Sequence, residues 1–509
     1  MPTDKNPTHF IQADLARVFA SNSKKQDLLA TLAWGDKVEV VSTGEKFVEI
    51  KIDAPQESED GSVKMTTNGF IRSAPGKAIA PVKDNRVLKI DFVDVQQGDG
   101  AVIETPNGKV MLIDGGDNQL FARYLAARYQ GSTSQAPREI DCILVTHGDA
   151  DHFLGLTEIH QSETNKKASK RLFIHPKRVY HNGIVKRPSD RADKDLLGPT
   201  VEVNGELFLS GLENDLLKVD PAEMNKPFQA WRKALEAFAK RGNIEIRRLQ
   251  RGDGKAFDFL SKSEPAPIAV EVLGPMTEKH GNRELLKFLR KPTNKPRQDE
   301  DGLNLNLKET GAISASHTIN GHSVVIRLGY GDFHFLFAGD LNAEAEQTLT
   351  ADHEAGKLSL QSDVLKVPHH GSADFKAAFL KAVAPAVSVV SSGDESLRKE
   401  FIHPRANLVG ALGRFSSINE PLIFVTEMVA FFEAVGIVSP KEADVPGKQK
   451  KPPKSFFAFS RAAFGIVKVR TDGERVLVYT NSGMKKLKEA YAFARRADKR
   501  LTAVAVTQA

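Results

Sequence analysis

The sequence predicts an α/β protein preceded by a small all-β module, and three observations carry that reading. From about residue 87 onward, short apolar runs repeatedly stop at a histidine or a carboxylate, as strands do when they deliver polar residues into the loops beyond their carboxyl ends. Between them lie segments with helical spacing: Phe121 to Tyr129, and Phe228 to Lys240, where Trp231, Leu235 and Phe238 recur on one face. The first eighty residues, by contrast, hold only short strands separated by turn signals. A chain of 509 residues exceeds what one core fills. The expected division is a β module over residues 1–80, a Pro-containing linker from Ala74 to Asp84, and a larger domain over residues 85–509.

In the β module, Leu28 to Leu32 precede the turn Trp34-Gly35-Asp36, then Val38 to Val41, then Phe47 to Ile52 with clean alternation, then Asn68 to Ile71. In the larger domain, Val87 to Val93 run into Asp94-Val95-Gln96-Gln97-Gly98-Asp99. Ala101 to Glu104 and Val110 to Ile113 then flank the hairpin turn Pro106-Asn107-Gly108. Asp114 follows, with two glycines that permit close backbone approach. Residues from about 158 to 265 are charge-rich and only patchily apolar, which predicts an insertion with its own helices beside the active face. Ile268 to Leu273, Ser323 to Leu328 and Phe333 to Phe337 form a further strand set ending at Asp340. Val364 to Val367 end at Pro368-His369-His370-Gly371-Ser372.

The densest chemistry is Thr146 to His152, THGDADH, directly after Ile143-Leu144-Val145. Two imidazoles and two carboxylates in six residues are a first-row metal's ligand types. Cys142 is the single cysteine, so an internal disulfide and a thiolate zinc site are both excluded and any metal is held by nitrogen and oxygen. No apolar run approaches the ~20 residues of a membrane helix, and the N-terminus lacks the plan of a signal peptide; a cytoplasmic protein without membrane association is expected. The formal net charge of +6, from 71 basic and 65 acidic residues, leans toward polyanionic partners without choosing one. Basic residues gather at Lys448, Lys450, Lys451 and Lys454, and at Lys485, Lys486, Lys488, Arg495, Arg496, Lys499 and Arg500. Both groups suit a nucleic-acid path, or equally a linker and an exposed helix face.

The β module resembles bacterial SH3-like domains from about Leu15 to Ala74, which implies a small β-barrel that binds a peptide, a cell-wall fragment or a neighbouring domain. From about Val87 to Thr480 the chain resembles the metallo-β-lactamase superfamily, and within it the ComEC-type competence hydrolases. Their DVGQGD, IDGG, THxDxDHxGG, GD, LKVxHHGS and S-x-G followed by HP stand here as FVDVQQGDG, LIDGG, THGDADHFLGL, FAGD, LKVPHHGS and VSSG leading to His403-Pro404. Gln96 departs from the glycine of the first motif, and Phe153-Leu154-Gly155 departs from x-Gly-Gly after the metal cluster.

The resemblance implies an αββα sandwich with two divalent metal ions, Zn²⁺ or Mn²⁺. His147 and Asp149 would hold one ion, Asp151 and His152 the other. Asp340 would bridge them, and His370 or His369 would complete a shell. His403 is a last ligand or a proton donor, Asp114 and His181 stand behind the ligands, and Lys366 contacts a phosphate. Asp151, His403 and Lys366 are the catalytic candidates. Such a site hydrolyses through a metal-bridging hydroxide, and its oxygen-rich donors suit phosphodiesters. The leading expectation is a nuclease acting on DNA or RNA. A hydrolase of a small phosphodiester, such as a cyclic nucleotide or a phosphocholine ester, and an SH3-like adaptor with the hydrolase fold as scaffold are the alternatives.

Overall fold

The structure, a computed structural model, describes residues 7–23, 27–57, 63–188, 196–262, 264–292, 297–298, 305–306, 310–393, 403–429, 431–438, 456–463, 465–481, 486–496 and 501–509. Two sheets dominate. One has ten strands, in the order Glu245–Arg248, Arg178–His181, Cys142–Leu144, Val110–Ile113, Ala101–Glu104, Leu88–Val93, Ile466–Thr471, Arg475–Asn481, Lys488–Arg495, Leu501–Val504. The other has six, in the order Ile268–Gly274, Val325–Tyr330, Phe333–Phe337, Val364–Lys366, Val387–Val390, Leu422–Val425.

The strands are apolar on both faces because both faces are covered. Between the sheets lies one core, built from residues such as Phe92, Ile103, Leu144, Ile326, Phe337 and Val389. Outside the ten-stranded sheet, Leu120–Arg128, Ala150–Ser162 and Lys226–Ala239 bury Phe121, Leu125, Phe153, Leu156, Trp231 and Leu235. Outside the six-stranded sheet, Ala343–Glu354, Ala377–Val383 and Ala406–Arg414 bury Leu349, Phe379 and Leu408. The result is the αββα order of layers. No described helix is long and apolar enough to cross a membrane.

The segment 158–265 corrects one expectation. It is not an insertion beside the sandwich: it supplies two parallel strands of the ten-stranded sheet, Arg178–His181 and Glu245–Arg248, and the helix Lys226–Ala239 packed against that sheet. These elements read as charged because the strands are four residues long and the helix buries only one face. The extra structure is smaller, a four-stranded sheet formed by Thr200–Val203, Glu206–Leu209, Arg283–Lys287 and Glu278–His280.

The N-terminal residues form a separate antiparallel sheet, in the order Leu28–Ala33, Leu15–Phe19, Val63–Ile71, Phe47–Glu57, Lys37–Gly44, His9–Ile11, Ile79–Pro81. It has its own core of Ile11, Val18, Val48, Ile50 and Ile71 and is compatible with a small β-barrel. The module sits on the outer face of the ten-stranded sheet, where Phe10, Leu15 and Trp34 pack against Leu477, Tyr479 and Ala492. Residues 507–509 run back across it: Leu15 N and Arg17 N donate to Thr507 O and Ala509 O, at 3.1 Å each, and Ala509 N donates to Leu15 O at 2.9 Å. Asp14 accepts from Arg475 and from Thr507 N, tying the seam together.

Next to that seam the sheet carries buried charges. Asp91 accepts from Tyr124 Oη at 2.5 Å, from Arg470 Nη1 at 2.8 Å and from Arg128, whose other nitrogen reaches Glu104 at 2.8 Å. The Lys448 to Lys454 group lies outside the described residues, as do Lys485, Lys499 and Arg500. The expected helix face near the C-terminus is the strand Lys488–Arg495. There Lys488 stands over the Tyr479 ring and Arg495 pairs with Asp363, so both are engaged within the fold.

Candidate metal centre

All the site's loops leave the carboxyl ends of strands in the two sheets, so the side chains converge at one edge of the sandwich. Seven described non-glycine residues have positive φ, and four of them, Gln96, Asp114, His369 and His370, lie in these loops. Such backbone costs about 1–3 kcal/mol per residue and persists where the surroundings dictate it. Glycines make the approach possible: a Cβ on Gly98 would sit 1.7 Å from Asp151 O, and one on Gly155 would sit 1.9 Å from Gly115 O. Gly155 thus keeps the close contact that the changed Phe153-Leu154-Gly155 sequence still requires. Gln96 tolerates its departure from glycine at φ 67°, with its side-chain amide donating to Glu427 at 2.9 Å.

Asp114 organises the first histidines. Its carboxylate accepts from Thr146 N and Thr146 Oγ1, both at 2.7 Å, and from His152 Nδ1 at 2.8 Å. Nδ1 of His152 therefore carries a proton and Nε2 is the atom that faces the centre, the arrangement by which carboxylates orient metal-binding imidazoles. His147 Nδ1 lies 3.2 Å from Thr146 Oγ1 and 3.3 Å from Ser323 Oγ. His370 Nδ1 lies 3.1 Å from Ser391 O, which again turns Nε2 inward.

At the centre stands Asp340, with Oδ2 3.0 Å from His370 Nε2 and 3.4 Å from His152 Nε2. His370 Nε2 is also 3.7 Å from Asp151 Oδ2. Ligand-type atoms of His147, His152 and Asp340 fall within 4.8 Å of one another, as do those of Asp151, His152 and His370, and those of Asp99, Asp340 and His370. The Nε2 atoms of His147, His152 and His370 and the Oδ1 atom of Asp340 are buried without a hydrogen-bond partner. Unpartnered buried donors of nitrogen and oxygen type fit divalent cations. Cys142 is buried within its strand and adds no thiolate.

The electrostatics reflect this crowding. Burial would raise Asp340, but the imidazoles of His370 and His152 beside it hold its carboxyl well below the usual range. His370, despite burial, is pushed up to about 10 by Asp340 and Asp99. His147 is driven down by burial and by the neighbouring His152.

The structure does not bring every expected residue into this cluster. Asp149 turns to Lys186 in an ion pair and belongs to none of the donor groups found among the described residues. His369 also stays outside them: its ring centroid lies 6.3 Å from that of His370 and 6.1 Å from that of His403. His403 is driven down to about 4 by burial and the nearby His370 and His369. His181 does not join the ligands or stand behind them. It ends its strand buried, and its Nδ1 accepts from Gly183 N at 3.0 Å.

Lys366 does point into the site, 3.3 Å from Gly339 O and 4.0 Å from Asp340 Oδ1. Its ion-pair partner there is Asp99, and Gln97 donates to Asp151 Oδ2 at 3.0 Å. Sequence reasoning names neither Asp99 nor Gln97 as a site residue. The available signal is their place in the QGD segment, one of the motifs that carry the family resemblance.

Residues 93–222 match the metallo-beta-lactamase superfamily. A 95-residue stretch is 36% identical to "Competence protein ComA" of Neisseria gonorrhoeae, covering 18% of this chain and only 13% of that protein.

Proposed function

Starting from a chain that carries a metallo-beta-lactamase superfamily domain, and with it a metal-dependent hydrolase fold, we propose that the protein is a two-metal phosphodiesterase that cleaves DNA or RNA. The observation that carries this reading is the overlap of the donor groups His147, His152, Asp340 and Asp151, His152, His370, which share His152 and face a common carboxylate. These residues, Asp340 among them, with donors of nitrogen and oxygen character, would hold two ions, Zn²⁺ or Mn²⁺. When bound, such ions supply an activated water at neutral pH and neutralise charge on a phosphoryl group.

The chain's own residues do the rest. Asp114, Thr146 and Ser391 hold the imidazoles in their ligating tautomers. Lys366 holds an ammonium at the floor of the site, where it meets a phosphate oxygen. His403, neutral and beside His369, is placed to ligate or to take a proton. The preference for a nucleic-acid substrate over a small ester rests on the resemblance of the motifs to the ComEC-type competence hydrolases. We place the enzyme in the cytoplasm. The N-terminal module, read as SH3-like, would recruit a protein partner.

The test is incubation of the purified chain with single- and double-stranded DNA, RNA and bis-p-nitrophenyl phosphate, in Mn²⁺, Zn²⁺, Mg²⁺ or chelator. Metal-dependent polymer degradation that Asp340→Asn abolishes is the expected result. Turnover of the small ester alone would move the reading to small phosphodiesters, and inactivity on every substrate with metal bound would overturn it. If Lys448, Lys450, Lys451 and Lys454 guide the polymer, changing them to Gln lowers the log–log salt slope of binding by ~0.7–0.9 for each phosphate that a lysine no longer neutralises.

A further inference from the structure

Asp99 lies among the ligand-type atoms around Asp340 and His370, yet one of its oxygens is taken up by a lysine, a pairing that the hydrolytic reading does not explain. It is buried, with one oxygen paired to the Lys366 ammonium and the other 3.4 Å from His370 Nδ1, which Ser391 O already holds at 3.1 Å. The turn is fastened on both sides: Ser391 Oγ donates to Gly98 O at 2.7 Å, and Gly116 N donates to Asp99 O at 2.8 Å. Lys366 is also buried, and its nearest alternative counter-charge is Asp340 Oδ1 at 4.0 Å. A lysine ammonium is a compact cation on a flexible stem. If it moves onto Asp340, it occupies the carboxylate that faces both His152 and His370.

We propose that Asp99 is a positioning residue: by holding Lys366 it keeps the lysine off Asp340 and leaves that carboxylate open to divalent cations. The inference rests on the two-metal reading. Asp99 is then needed only while the lysine is present. Removing its charge frees an ammonium to compete for Asp340; removing the lysine as well abolishes the competition.

The experiment measures Mn²⁺ affinity by competition with a chelating dye, and stoichiometry by elemental analysis, for the wild-type chain, Asp99→Asn, Lys366→Met and the double variant, each also melted without metal. Asp99→Asn is expected to weaken Mn²⁺ binding by about 10–100-fold, the usual cost of losing a residue that supports metal ligands. The double variant is expected to bind like Lys366→Met, which itself binds at least as tightly as wild type. Affinity unchanged in Asp99→Asn overturns the proposal. So does an equal loss in Asp99→Asn and the double variant, because Asp99 would then act independently of the lysine. Should Asp99→Asn fail to fold, the comparison of Lys366→Met with the charge-balanced double variant carries the test, with equal affinity expected. Wild-type protein that binds no Mn²⁺ overturns the two-metal reading and this inference together, whereas normal wild-type binding with an unaffected Asp99→Asn overturns this inference alone.

Discussion

Asp114→Asn changes a single atom's hydrogen-bonding character and, through it, the tautomer of a histidine 38 residues away in sequence. In the native site one carboxylate oxygen accepts from Thr146 N at 2.7 Å and the other from His152 Nδ1 at 2.8 Å. An asparagine that keeps its oxygen on Thr146 N presents its NH₂ group to Nδ1. The imidazole can accept that bond only by moving its own proton to Nε2, the atom that faces Asp340. The opposite orientation sets NH₂ against the Thr146 N–H, donor on donor. Either way Nε2 no longer has its lone pair free at no cost. A hydrogen bond to a charged group is worth about 1.5–3 kcal/mol, and at 1.4 kcal/mol per factor of ten the expected loss of metal affinity is roughly 10–100-fold. The assay is dye competition for Mn²⁺ beside thermal melting of metal-free protein. Affinity within about twofold of wild type, well under 1 kcal/mol, would refute the tautomer argument. A collapse of metal-free stability that accounts for the weaker affinity would refute it equally, by showing that Asp114 acts as a packing residue.

Two further expectations concern the charges beside the seam. Asp91→Asn leaves the buried Arg470 guanidinium without its carboxylate, and is expected to cost about 3–5 kcal/mol in urea unfolding; Asp91→Leu combined with Arg470→Met should recover much of it, and a single-variant loss under about 1 kcal/mol would contradict the burial argument. Glu104, against burial, is drawn from 4.5 to about 2 by Lys89 and Arg128. A depressed carboxylate contributes stability that is present above pH 4.5 and lost as pH falls toward 2, here on the order of 3 kcal/mol. Glu104→Gln should flatten the decline of melting temperature between pH 5 and 2.5, and an unchanged decline would remove Glu104 from the account.

Much of the centre is legible in the sequence because a sandwich of this kind delivers ligands only at strand ends, so an apolar run followed by a histidine or carboxylate marks both fold and site. His147, His152, Asp340 and the His369-His370 pair are picked out in that way as ligand candidates, and Asp114 as a residue behind them. The pairing of Asp149 with Lys186, a residue 37 positions later, is invisible in the sequence because only the folded chain brings the two together. His369 and His370 have indistinguishable side chains, and the consecutive positive φ values that separate them are properties of backbone. Asp99 is overlooked since a carboxylate in a glycine turn reads as solvated until a buried lysine is found beside it. The 158–265 segment is misread because its two sheet strands are only four residues long and too short to show a period, although the helix between them does show one.

Residues 507–509 lie along Leu15 and Arg17, and Asp14 bonds to Thr507 across 493 positions. On the ribosome the N-terminal module emerges hundreds of residues before the segment that lines this edge of it. Contacts so distant in sequence form late, and until then Leu15 and Arg17 offer unpaired backbone, the kind of edge through which chains associate wrongly. The module therefore reaches its finished form only after the hydrolase sheet that carries Arg475 has been made. Substitutions that break the pairing of residues 507–509 with Leu15 and Arg17 would act on that same closure.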